Sequence, residues 1–170
     1  MPNLYKKILV PLDGSELAAQ ALPHAEEIAD GTGAQLILLQ IVVDQRSLVV
    51  TQTTSGMSGS GVLVGAVGVN VIPAPQSQDI HNQAMDEAKR DMDELAVSLR
   101  HRKIDATSDI DTGDPATCIL DYAAANEIDL IVMSTHGRTG VRRWAYGSVA
   151  NKVLQAASCA VLIVRPVSDS

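Results

Sequence analysis

The sequence is poor in aromatic residues: one Trp, three Tyr and no Phe, 2% in all. Its core must therefore be built from Val, Ile, Leu and Ala. Cysteine is nearly as scarce, and Cys118 and Cys159 show neither metal spacing nor a disulfide framework. The four histidines are scattered, so no zinc site is visible. Positive charge is also in deficit, with 13 Lys and Arg against 20 Asp and Glu and a net charge of −7. That balance argues against a general binder of nucleic acid or anionic membrane, which needs a basic face. A local cationic pocket is still compatible with it. No apolar run approaches the roughly 18 residues of a membrane span. The opening "MPNLYKKILV" turns polar too quickly for a signal peptide. The expectation is a cytoplasmic protein with no membrane and no nucleic-acid partner.

At 170 residues the chain is one domain's worth and can bury a full core without staples. Five strand-like runs punctuate it: Lys6–Leu12, Ala34–Val43, Lys103–Asp111, Asp129–Ser134 and Ala160–Pro166. Some are nearly continuous in Ile, Leu and Val, as parallel strands buried on both faces are. The third alternates, which suits an edge. Between them lie helical patterns. From Ser15 to Asp30 the apolar residues Ala18, Ala21, Leu22, Ala25, Ile28 and Ala29 fall on one face, with Ser15 as N-cap and Gly31 and Gly33 as the stop. A second pattern runs from about Asp79 to His101 with Met85, Ala88, Met92, Leu95, Ala96 and Leu99 in phase. A third opens on Asp114-Pro115, a cap followed by proline at the first helical position, and continues through Ile119, Leu120, Ala123 and Ala124. The last begins near Gly147-Ser148 and is expected to bury Val149, Val153, Leu154 and Ala157.

Strand and helix thus alternate, an α/β order that implies a parallel sheet covered on both faces by right-handed crossovers. The exception is a Gly-, Ser- and Val-rich stretch at 45–78. Over Asp44–Gln78 only Asp44 and Arg46 are charged. A structureless loop of that length is uncommon in a compact domain. It reads either as an insertion in a single domain spanning 1–170 or as a lid or partner-binding arm.

In such a sheet, ligands bind beyond the carboxyl ends of the strands, where the strand order reverses. If the first strand is central, the loops "VPLDGSE" (Val10–Glu16) and "MSTHGRTGVRRWAYGSV" (Met133–Val149) face each other there. The second carries Gly137, Gly140 and Gly147, which permit positive φ and close backbone approach. Its Gly147-Ser148 pair falls at a helix start, where free amides and the positive dipole end suit a phosphate. Ser148 adds a hydroxyl, and Arg138, Arg142 and Arg143 add charge. A glycine-rich turn with ordinary caps accounts for the same residues, because neither a Walker loop nor G-x-G-x-x-G is present. In the first loop Asp13 is either a second N-cap beside Ser15 or an acceptor for ribose hydroxyls or a magnesium-bound water. Pro11 offers an apolar wall to a base, and Ile41-Val42 end a strand nearby. His136 is either a phosphate neighbour or a surface residue. Trp144 and Tyr146 read as packing or base-stacking residues, Cys118 and Cys159 as structural ones. Gly113-Asp114-Pro115 is either a simple helix start or a turn that approaches the ligand.

The chain resembles the universal stress protein family in its single-domain, UspA-like form. "KKILVPLDGSELAAQAL" is similar to the family's opening, and "DLIVMSTHGRTGVRRWAYGSVANKVLQAASCAVLIVR" to its C-terminal signature. The resemblance implies a Rossmann-like, doubly wound five-stranded parallel sheet ordered 3-2-1-4-5. It also implies a homodimer through the strand Ala160–Arg165. The nucleotide-binding branch carries G-x2-G-x9-G-[ST], which fits Gly137 and Gly147-Ser148 here and puts Ser134 where the leading glycine belongs. On that pattern Asp13 would contact ribose, Pro11 and Ile41 would border the base, and Gly137, Gly147, Ser148 and Val149 would cradle the phosphates. His136 and Arg138 would lie beside them. Ser134 is the departure: its hydroxymethyl group either crowds the phosphates or donates to them. The implied ligand is ATP with Mg2+ bridging its phosphates.

No nucleophile with a base positioned by a second group stands out. The expectation is therefore an ATP-binding, nucleotide-responsive dimeric stress-response module with unknown protein partners. One alternative is a slow ATPase or autophosphorylating enzyme in which Asp13 holds Mg2+. The other is a dimeric interaction module that binds no nucleotide.

Overall fold

A computed structural model describes residues 3–42, 74–135 and 147–165. Its elements are β1 (Lys7–Leu12), α1 (Glu16–Ala19), α2 (Leu22–Thr32), β2 (Gln35–Val42), α3 (Ala74–His101), β3 (Ala106–Thr112), α4 (Pro115–Ala125), β4 (Leu130–Ser134), α5 (Ser148–Ala156) and β5 (Ala160–Val164). The five strands form one parallel sheet in the order β3-β2-β1-β4-β5, the order the resemblance implies. The alternating third run is an edge, as its pattern suggests.

Alternation along the strands sorts the core into two layers. Ile8, Val10, Leu36, Leu38, Leu130 and Val132 face one side, where Leu22, Ala25 and Ala29 of α2 and Met92, Ala96 and Leu99 of α3 cover them. Leu9, Ile37, Leu39, Ile41, Ile131 and Met133 face the other, beneath Ala116, Ile119 and Ala123 of α4 and Ala150 and Val153 of α5. Eight of these strand residues (Ile8, Leu9, Val10, Leu36, Leu38, Leu39, Ile131, Val132) have no measurable exposure. Burying an aliphatic side chain contributes about 1.5–3 kcal/mol, so these two layers dominate stability.

Several helix boundaries differ from the sequence reading. The helix expected over Ser15–Asp30 is broken into α1 and α2. Pro23 causes the break: it lacks an N–H, and its ring excludes the carbonyl four residues earlier, so it sits in the first turn of a new helix. Gly31 lies inside α2, and the left-handed cap is Gly33 alone, at φ 69°. α3 starts at Ala74, so its first turn belongs to the stretch 45–78; the rest of that stretch lies outside the described residues. In α5, Ala150 and Val153 are the buried pair and Val149 and Ala157 are half-buried, whereas Leu154 is exposed because α5 turns it away from the sheet.

Candidate functional site

The site is a gap in the sheet at its carboxyl edge. β1 pairs with β2 over its whole length, from Lys7↔Gln35 to Leu12↔Gln40. Its pairs with β4 run only from Ile8↔Leu130 to Leu9↔Ile131. Pro11 supplies the reason. The Lys6 carbonyl accepts from Gln35 N–H on the β2 side, and the Lys7 carbonyl accepts from Asp129 N–H on the β4 side. Alternation therefore turns the nitrogen of Pro11 toward β4, where a proline has no hydrogen to give. The ladder stops, and a crevice opens between β1 and β4 at the reversal of strand order.

From this crevice the chain continues to helices on opposite faces of the sheet, α2 after β1 and α5 after β4. After β1, Gly14 takes φ 78° and Asp13 turns back on the chain. Asp13 Oδ1 accepts from Ser15 N–H at 2.9 Å and from Ser15 Oγ at 2.6 Å. Ser15 Oγ in turn accepts from Ala18 N–H at 3.1 Å and caps α1. Asp13 is exposed and serves as the support of the cap rather than as a second cap.

After β4 the chain returns at Gly147, the N-cap of α5. α1 and α4 are each capped by a side chain, Ser15 and Asp114, whereas α2 and α5 have no side-chain cap among the described residues. The opening amides of this nine-residue helix, Ser148 and Val149 among them, thus carry its positive dipole end at the carboxyl edge of the sheet. Gly147 itself has φ −56° and ψ 154°, so positive φ is not the reason for a glycine there. Thr135, which the sequence reading did not single out, joins the two ends of the loop: its Oγ1 accepts from Gly147 N–H at 3.2 Å. A second hydroxyl residue directly after the aliphatic run Leu130–Met133 and Ser134 was the available signal.

The other expected residues divide plainly. Pro11 is buried and by alternation shares the α5 face with Leu9; Ile41 is 9% exposed and packs into the same layer. Ser148 is exposed and Val149 half-buried at the start of α5. Ser134 ends β4 on the opposite, α1 side, and its Oγ is buried without a hydrogen-bond partner among the described residues. His136, Gly137 and Arg138 lie outside the described residues, as do Gly140, Arg142, Arg143, Trp144 and Tyr146. Gly113-Asp114-Pro115 is a helix start: Asp114 caps Thr117 N–H at 3.1 Å and pairs with Lys152 at 3.5 Å. The bonds from Thr117 hold the Asp114 carboxyl below the usual carboxylate range. No group of three or more His, Cys, Asp or Glu residues suited to a metal occurs among the described residues. No helix there is long and apolar enough to cross a membrane.

The model of the universal stress protein family matches residues 4–63 and 66–165. Universal stress protein MJ0531 of Methanocaldococcus jannaschii is 32% identical over 163 residues, covering 96% of this chain and 84% of that one. MJ0577 of the same organism is 30% identical over 165 residues, 97% of this chain and 98% of that one. Its solved structure matches with a TM-score of 0.73 at 25% identity, over 98% and 99% of the two chains. Two solved proteins of the same fold hold nucleotides. One is a universal stress protein in complex with cAMP (20% identity, TM-score 0.56, 96% of this chain and 98% of that one). The other is a family protein of Arabidopsis thaliana with AMP bound (13% identity, TM-score 0.59, 96% and 94%). At those identities the likeness is one of fold. Strand order, the crevice beside β1 and the family match across nearly all of the sequence agree: this chain belongs to the universal stress protein family.

Proposed function

We propose that the protein binds an adenine nucleotide, ATP with Mg2+ bridging its phosphates, in the crevice between β1 and β4. It works as a nucleotide-responsive homodimer in stress response. The observation that carries this reading is the side-chain-uncapped start of α5 at the edge of a gap in the sheet. A nine-residue helix whose first amides have no side-chain cap among the described residues offers hydrogen bonds and positive potential to an anion. Ser134 lies at the end of β4: its buried hydroxyl has no hydrogen-bond partner among the described residues, and a ligand oxygen that reached it would satisfy it. Asp13 then lies toward the ribose, and Pro11 and Ile41 supply the apolar side for the base. Gly137, His136 and Arg138 complete the phosphate side in this reading. Mg2+ would be held chiefly by phosphate oxygens and water, which needs no protein cage. The nucleotides held by two proteins of the same fold are consistent with an adenine ligand.

Dimerisation rests on β5. It is an edge strand, its residues Ala160–Val164 are all apolar, and Leu162 is exposed. Such an edge is a template for pairing with a second copy. Hydrolysis is less well supported, because Asp13 Oδ1 is already engaged by Ser15. Titration calorimetry with ATP and Mg2+ tests the binding; one nucleotide per chain is expected. No heat at millimolar ATP would leave the nucleotide-free interaction module as the reading. Light scattering should show a dimer that Leu162→Lys converts to monomer. Phosphate release that depends on Asp13 would favour the enzyme.

A further inference from the structure

Thr135 is the only buried polar or charged residue among those described, at 5% exposure. Burying a hydroxyl is unfavourable unless its hydrogen bonds are made. Here its N–H and its hydroxyl oxygen are both used. Its N–H donates to the Val164 carbonyl at 3.0 Å, the last residue of β5. Its Oγ1 accepts from Gly147 N–H at 3.2 Å, the cap position of α5. One side chain therefore fastens the end of β4 to the start of α5, across twelve positions of sequence.

That bond has a chemical consequence for the crevice. Gly147 N–H is already given to Thr135, so it is not among the donors left for a ligand. The amides that follow it, on Ser148 and Val149, are aimed by wherever Gly147 is held. We infer that Thr135 is a positioning residue for phosphate: it fixes Gly147 and so directs the first amides of α5 into the crevice. This rests on the nucleotide reading above and names a residue of the same site. Gly147 then contributes conformation and close approach, and its own N–H stays with Thr135 when the ligand binds.

The test uses the full chain, with ATP–Mg2+ and adenosine as separate probes, followed by calorimetry or NMR. Thr135→Val keeps the shape and removes the acceptor; Thr135→Ser keeps the acceptor. The Val variant should bind ATP about tenfold more weakly, the scale of one lost hydrogen bond with its geometry, and bind adenosine as the wild type does. The Ser variant should recover ATP binding. Unchanged ATP affinity in the Val variant overturns the inference, and so does an equal loss of ATP and adenosine binding, which would mark a general structural defect. If the wild type itself binds no ATP, the nucleotide reading falls and takes this inference with it. Should the Val variant not fold, amide exchange in the wild type decides. A Gly147 N–H protected with and without ATP supports the tether, and one that exchanges as an open amide overturns it.

Discussion

Replacing Ser134 by alanine should stabilise the nucleotide-free protein. Its Oγ is buried at the end of β4 and makes no hydrogen bond among the described residues. Leaving a buried polar group unsatisfied costs about 1–3 kcal/mol. Removing the oxygen loses only a few contacts, at about 0.1–0.2 kcal/mol each. A net gain of about 1–2 kcal/mol follows. For a chain of this length each kcal/mol moves Tm by about 2–4 °C, so the midpoint should rise by about 2–8 °C. Ser134→Gly removes the same hydroxyl but adds backbone freedom worth about 0.5–1 kcal/mol, and should fall between the two. Calorimetric unfolding without nucleotide, repeated with saturating ATP–Mg2+, is the assay. ATP should raise Tm less in the alanine variant, because the ligand oxygen no longer meets a hydroxyl donor. An alanine variant no more stable than wild type in the absence of nucleotide would refute the reasoning, since the hydroxyl would then have a partner.

Three further outcomes are expected. Asp129 accepts from Lys6 and Lys7 N–H at 2.8 and 3.0 Å, and these bonds hold its carboxyl below the usual carboxylate range. Its contribution is complete above about pH 4 and is lost as pH falls through the lower folded value. Asp129→Ala should therefore flatten the acid limb of a stability–pH curve and cost about 1 kcal/mol at pH 7. Burial first, and the Asp109 carboxylate second, push the Tyr122 hydroxyl up to about 12. The stability this group adds is complete below about pH 10, the unfolded value, and is lost as pH rises toward the folded one. Tyr122→Phe should remove the late step of the alkaline absorbance titration and flatten the loss of stability over that range. Gly113 has φ 146°, and a Cβ there would meet Cys118 Sγ at 3.1 Å. Gly113→Ala should cost about 1–3 kcal/mol in denaturant unfolding. Adding Cys118→Ala should recover the part due to contact and leave the part due to the backbone.

The fold was legible because its signals are local and repeated. Continuous aliphatic runs marked the inner strands, alternation marked β3 as an edge, and Asp114-Pro115 marked the start of α4. The misjudged boundaries have a local cause too: the apolar face from Ala18 to Ala29 is continuous, and outweighed Pro23 in the reading although the backbone obeys the proline. Leu154 shows the opposite failure. Its hydrophobicity suggested burial, but only the placement of α5 on the sheet determines which of its sides is covered. Of the proposed site, Asp13, Gly147 and Ser148 could be placed from sequence at the ends of loops after β1 and β4, where the structure has them. Thr135 could not, because a bond between residues twelve apart exists only once both loop ends are placed. The gap beside Pro11 was hidden for the same reason. Which neighbour a missing N–H would have served depends on strand order and on alternation together.

That missing donor also shapes the molecule as a mechanical object. β3, β2 and β1 are joined by long ladders into one stiff slab, and β4 and β5 form a second. Between them runs a seam of two paired positions at one end and none at the other. A sheet so joined has its fewest hydrogen bonds along one line, so that line is where a bend would cost the least. A molecule lodged there would act as a wedge in a hinge, turning a local contact into a tilt of one slab against the other. The proline that breaks the ladder is thus also what would give the sheet a direction in which to bend.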